Sequence, residues 1–149
     1  MSVVEQEVQV SASVADAWDL YFEPRSWPAW VDSFGSVLEI DGYPEVGGTL
    51  RWKSVPAGRG EVKETVREHE LRRVHRIDFE DSSLAGTMSV SFSIEGEGTR
   101  IVAAMDYRLL DRSVFAQMGS WLFLKAQLRG TIRRSLDAFA SEAAERAAR

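Results

Sequence analysis

Residues 113–146 read SVFAQMGSWLFLKAQLRGTIRRSLDAFASEAAER, without a proline and with only Gly119 and Gly130 to weaken a helix. Val114, Phe115, Met118, Trp121, Leu122, Leu128, Ile132, Leu136 and Phe139 recur near helical spacing and fall on one broad stripe. Lys125, Arg129, Arg133, Arg134, Asp137 and Glu142 occupy the other face. So long and apolar a stripe needs a large apolar partner. The alternating segments that precede it are the only candidate. The expected architecture is therefore α+β: a curved antiparallel sheet of about six to seven strands wrapped around one long C-terminal helix.

Upstream, Val3 to Val10 alternates as a strand with Val4, Val8 and Val10 on one face. Ser13-Val-Ala-Asp16 fits a capping box, so a helix begins there, and Val14, Ala17, Trp18 and Tyr21 share its apolar face. Pro24 ends it. The piece Arg25-Ser-Trp-Pro-Ala-Trp-Val31 is long enough for a second short helix only. Six further segments have strand character, at 36–41, 48–55, 60–70, 73–80, 86–95 and 99–110. Turn signals at Asp41-Gly42, Gly47-Gly48, Pro56 to Gly60, Ser82 to Gly86 and Glu95 to Gly98 separate them. No helical stretch intervenes, so the strands form an antiparallel meander.

Parity then assigns faces. Met88, Val90, Phe92 and Ile94 alternate with serines and a threonine; Ile101, Ala103, Met105, Tyr107 and Leu109 form the next apolar set. His75, Ile77 and Phe79 face inward on their strand, and Leu50 and Trp52 on theirs. On 60–70 the apolar face carries Val62 and Val66, and with them Glu64 and Glu68. A two-residue turn at Leu71-Arg72 would set Glu68 opposite His75 and Glu64 opposite Phe79, a register that a bulge would undo.

The chain has 149 residues and a net charge of −5, with no cysteine. The length fits one domain over 1–149 with a sizeable core. The charge argues against a generally basic nucleic-acid binder, and the missing thiols remove disulfides, thiolate nucleophiles and cysteine metal sites. No apolar run approaches a membrane span of about 20 residues and no signal pattern opens the chain, so the expected location is cytoplasmic. The two histidines, His69 and His75, with nearby carboxylates lack the short fixed spacing of a zinc site. No metal and no cofactor are expected.

The order strand, two short helices, meander, long helix resembles the START-like (SRPBCC) superfamily, the polyketide cyclase/dehydrase and lipid-transport family with its helix-grip fold. The resemblance rests on Val10-Ser-Ala-Ser-Val-Ala-Asp-Ala-Trp18, Trp27-Pro-Ala-Trp30, Val46-Gly-Gly48 and Gly96-Glu-Gly-Thr-Arg100, and spans nearly the whole chain. It implies an elongated apolar cavity between sheet and helix. Trp27 and Trp30 would stand near its mouth. Trp52, Glu64, His75, Phe79, Val90, Phe92, Met105 and Tyr107 would form the sheet wall, and Phe115, Met118 and Leu122 the lid. The family's aromatic polyketide cyclases hold their substrate with an arginine in the pocket. Here the arginines at 59, 67, 72, 73, 76, 100 and 108 fall mostly on turns or outward positions, which counts against that activity.

Glu64, His75 and Tyr107 are the candidate acid–base groups. An inward Glu64 would be costly to ionise and could act as an acid or base; at a bulge or rim it would merely reach water. His75 could shuttle protons, particularly if Glu64 or Glu68 orients it, or be an ordinary core histidine. His69 is expected in solvent at a hairpin end. Trp27 and Trp30 could stack on an aromatic ligand or simply anchor their helix. The leading reading is a non-catalytic binder of a small hydrophobic molecule, lipid-like or aromatic. The second is a cyclase, aromatase or dehydratase using polar cavity residues. The third is an interaction module with a filled cavity. The basic helix face is a candidate for transient contact with anionic membrane surfaces. The chain would be a monomer or, through a sheet edge, a homodimer.

Overall fold

In the computed structural model of the chain, residues 2–111 and 121–149 are described. Phe115 and Met118, expected on the lid, lie outside them. The elements are β1 (Ser2–Val10), α1 (Val14–Tyr21), a 3-10 turn (Pro24–Ser26), α2 (Trp27–Trp30), β2 (Phe34–Asp41), β3 (Thr49–Ser54), β4 (Glu61–Glu70), β5 (Val74–Glu80), β6 (Leu84–Glu95), β7 (Gly98–Leu109) and α3 (Trp121–Ala147). The seven strands form one antiparallel sheet in the order β1-β7-β6-β5-β4-β3-β2. The meander carries the chain from β2 to β7, and β7 returns to pair with β1. Gly86 on β6 sits where a Cβ would overlap the carbonyl oxygen of Asp106 on β7, so the two strands meet there only because the side chain is missing.

Local chemistry sets the two short helices. The Ser13 hydroxyl oxygen accepts from the Asp16 amide at 3.1 Å and caps α1. Ser26 is buried: its hydroxyl donates to the carbonyls of Leu20 and Glu23 and accepts from Trp30 Nε1 at 3.0 Å. Trp27 Nε1 donates to the Tyr21 carbonyl at 2.9 Å. Both indole N–H groups of α2 are thus used to fasten it to the end of α1.

Helix α3 lies against β1 and α2 and buries Leu124, Ile132, Leu136, Phe139 and Ala143. Among the described residues, the stripe read from the sequence is correct at Ile132, Leu136 and Phe139 and wrong at Leu122. Leu122, expected on the lid, is 78% exposed, whereas Leu124 is 1% exposed. Leu124 turns toward Leu84 and Met105, with which it lines a cavity of about 230 Å³. Leu122 and Leu124 lie on opposite flanks of the line through Ile132, Leu136 and Phe139, and only the flank facing Leu84 and Met105 is covered. Two of the four basic residues on the outer face hold the helix in place. Arg133 Nη1 donates to the Glu7 carbonyl at 2.8 Å, and Arg134 pairs with Asp32 at 3.2 Å.

Candidate functional site

Between the sheet and α3 lies a cavity of about 120 Å³. Leu50, Trp52, Glu64, His75, Ile77, Met88, Val90, Ala103 and Met105 form its sheet side, and Thr131, Ile132, Ser135 and Leu136 its helix side. Tyr21, Trp27, Trp30, Val31, Phe34 and Tyr43 close the end nearest α2. The wall is mostly apolar, with polar groups at few points, as small-molecule sites require. Of the residues expected here, Trp27, Trp30, Trp52, Glu64, His75, Val90 and Met105 line the cavity. The other three sheet residues do not. Phe79 is buried beneath Arg59, Phe92 packs edge-on against Trp18 and Tyr21, and Tyr107 stacks on Trp121 at 5.5 Å. Correct parity put them on the inner face, but the cavity occupies only part of it and packed side chains fill the rest.

Glu64 stands opposite Leu50 on one side and Phe79 on the other, so the expected pairing with Phe79 holds. Its Oε2 accepts from Trp52 Nε1 at 3.0 Å, while the Trp52 ring stacks on Phe34. Burial pushes the Glu64 carboxyl above its usual range; the Trp52 hydrogen bond and the charge of Arg59 oppose this without cancelling it. A carboxyl so placed can donate a hydrogen bond when protonated and accept one when ionised.

The sequence places Arg59 on the turn from Pro56 to Gly60 and points to no arginine inside. The turn does hold it, but its side chain reaches inward. Arg59 lines the cavity, and its guanidinium lies 5.6 Å from the centroid of Trp52 and 5.5 Å from that of Phe79. Arg59 Nε donates to Asp81 Oδ2 at 2.9 Å. Asp81 is itself fixed, because its Oδ1 accepts from the amides of Ser83 and Leu84 at 2.8 Å each. Parity rules speak only for strands, so nothing in the local sequence revealed this arginine. The aromatic-facing geometry depends on a loop pairing with a residue 22 positions later.

The histidine neighbourhood also departs from expectation. Pairing runs Val66 with Ile77 and then Glu68 with Arg76, which leaves Arg67 as a bulge. Beyond it the faces exchange. Glu68 points outward toward Arg76, and His69, not Glu68, stands opposite His75. The turn that follows spans three residues, with Arg72 at φ 59°. His69 is therefore half-buried rather than solvated, and its ring lies 5.1 Å from those of Trp18 and Phe22. His75 is 3% exposed. Burial, and then the neighbouring His69, lower its pKa to about 3. Burial also lowers His69, with Glu45 acting the other way. Tyr43 and Tyr21 are both raised by burial and by Glu64. Tyr43, set in a polar loop between Gly42 and Pro44, was the one aromatic whose isolation could have marked it.

Among the described residues, no three His, Cys, Asp or Glu side chains gather as metal ligands, and no helix is long and apolar enough to cross a membrane.

An antiparallel sheet closed by a long C-terminal helix over a partly polar cavity is the architecture of the helix-grip proteins. The model of the polyketide cyclase/dehydrase and lipid transport family matches residues 1–144, and the chain belongs to that family. No curated protein matches the sequence. Solved structures match in fold. Norcoclaurine synthase from Thalictrum flavum, in complex with dopamine and hydroxybenzaldehyde, is 19% identical with a TM-score of 0.68, over 97% of this chain and 87% of its own. The di-domain ARO/CYC protein StfQ of the steffimycin biosynthetic pathway is 16% identical with a TM-score of 0.76, over 99% of this chain and 52% of its own. A protein from Rhizobium leguminosarum is 18% identical with a TM-score of 0.73, over 93% of this chain and 91% of its own.

Proposed function

We propose that the chain binds a small, largely apolar molecule, about one aromatic ring in size, and holds its polar group against Glu64 and Arg59. The observation that carries this reading is the cavity of about 120 Å³ with those two groups set in a mostly apolar wall. A dry apolar cavity of about 150 Å³ takes a benzene ring, whereas ordinary drug-sized pockets measure about 300–1,000 Å³. The size favours a compact aromatic molecule over a long-chain lipid. Met88 and Met105 in the wall supply the adaptability to fit it. A filled-cavity interaction module is less well supported.

A second reading, acid–base chemistry of the cyclase or dehydratase kind, is favoured by one specific observation. Arg59 reaches the cavity beside a carboxyl that burial holds toward its protonated form. Glu64 would then exchange a proton with the ligand while Arg59 steadied developing negative charge.

Thermal-shift and native mass-spectrometric titration against single-ring phenols, aryl ketones and long-chain fatty acids tests the binding reading. Single-ring compounds should raise the melting temperature and bind one per chain, and Glu64→Gln should weaken those with a hydrogen-bond donor. A panel in which only fatty acids bind, or nothing binds, refutes it. Incubation of the bound compound with wild type and Glu64→Gln, followed by product analysis, separates holding from turnover.

A further inference from the structure

Two histidines meet beside the cavity through the same ring atom. His69 Nδ1 lies 3.0 Å from His75 Nδ1, and His75 Nε2 lies 3.3 Å from the Tyr43 hydroxyl. The three residues come from the end of β4, the start of β5 and the loop joining β2 to β3. His75 and Tyr43 line the cavity, whereas His69 does not and is only partly buried. Phe22 lies edge-on to both imidazoles, at 5.1 Å from His69 and 4.7 Å from His75, and Trp18 covers His69. The ionisable groups near this chain of rings are Glu45 by His69 and Glu64 and Tyr21 by Tyr43.

A hydrogen bond between two Nδ1 atoms needs one of them protonated and the other bare. With both rings neutral, two arrangements satisfy the whole chain. Either His69 donates to His75 and His75 donates to Tyr43, or Tyr43 donates to His75 and His75 donates to His69. We infer that His69, His75 and Tyr43 form a proton relay that connects solvent to the ligand cavity and serves a bound molecule with an ionisable oxygen. This rests on the reading of the cavity as a ligand site.

The step balances without charging any ring. Water protonates His69 Nε2 and leaves hydroxide in solution. The His69 Nδ1 proton passes to His75 Nδ1, and the His75 Nε2 proton passes to the Tyr43 oxygen. The original Tyr43 hydroxyl proton passes to the ligand's oxyanion. One proton enters, one leaves, and every hydrogen bond in the chain reverses direction. The reverse sequence carries a proton from the ligand to solvent. Because burial disfavours imidazolium at both histidines, a path in which each stays neutral is the accessible one. Burial beside Glu64 raises the Tyr43 hydroxyl, and a phenol bound against it meets the same surroundings, so proton exchange between the two is nearly balanced. With the cavity's size, that points to a single-ring phenol as the ligand.

The test uses the full chain and two readouts that need no ligand. With ¹⁵N-labelled histidine, a scalar coupling should cross from His69 Nδ1 to His75 Nδ1 at pH 7, and the two rings should be neutral and of opposite tautomer. With ¹³C-labelled tyrosine, deuterium exchange at the Tyr43 hydroxyl should slow at least tenfold in His69→Phe. An unchanged exchange rate overturns the relay, as does a wild-type protein without the coupling, which decides the matter even if His69→Phe does not fold. If both readouts hold while the phenols fail to bind, the relay stands and the ligand reading falls. If phenols bind and neither readout holds, the ligand reading stands and the relay falls.

Discussion

Moving from pH 7 to pH 5 should cost this protein stability through His75 in particular. In the fold, burial and the adjacent His69 hold this imidazole's pKa at about 3, against 6.5 in the unfolded chain. Between those values the unfolded chain takes up a proton that the folded chain refuses. The stabilisation is therefore complete above about pH 6.5 and is lost progressively as pH falls toward 3. At about 1.4 kcal/mol per pH unit, the loss by pH 5 is on the order of 2 kcal/mol. That is a large part of the 5–15 kcal/mol typical of a domain, and with an ordinary urea slope it moves the unfolding midpoint by about 1 M. The clean measurement is a comparison. Urea unfolding of wild type and His75→Gln at both pH values cancels every group the two proteins share. The wild type should lose about 2 kcal/mol more than the variant between pH 7 and pH 5. The two proteins losing the same amount would refute the reasoning and mean that His75 is protonated in the fold as readily as in solution.

Glu64 works with the opposite sign. Its folded-state pKa is raised, so the stability it contributes is present at low pH and falls as pH rises through the raised value; Glu64→Gln should flatten that decline in urea unfolding between pH 5 and pH 8. Ser26→Ala leaves the indole N–H of Trp30 without its buried acceptor and should cost about 1–3 kcal/mol in thermal unfolding, far more than an exposed serine would. Leu124→Ala should cost about 2–5 kcal/mol, while Leu122→Ser should change stability by less than about 0.5 kcal/mol, a contrast that checks which flank of α3 is covered.

The strands and their inward faces were legible because alternation is a local signal, and a meander with short turns leaves little freedom in pairing. The parity of β3, β4 and β5 placed Trp52, Glu64 and His75 on the inner face, and the family resemblance implied a cavity there. What escaped was set by contacts distant in sequence. Arg59 is held by Asp81, and Tyr43 reaches the cavity from a loop. Phe92 has the same parity as Val90, but Trp18 and Tyr21 cover it. Ile94 shares that parity too, yet stands 80% exposed near the end of β6. The histidine pair escaped because a single unpaired residue in β4 carries no mark in the sequence, and Arg72 fills a left-handed position where glycine would have marked a three-residue turn.

That unpaired residue, Arg67, acts like a frameshift in side-chain parity. Upstream of it β4 is read in one frame and downstream in the other. Were Arg67 paired with Arg76 instead, the same residues with a two-residue turn at Leu71-Arg72 would return Glu68 to the inner face beside His75 and turn His69 out to water. A neutral pair of imidazoles would become a carboxylate–imidazole pair, and His75 would gain a partner that favours its charged form. The electrostatic character of the cavity's histidine therefore hangs on whether one residue of β4 is left out of the pairing, so a shift of register there would change the chemistry more than most substitutions at the cavity wall.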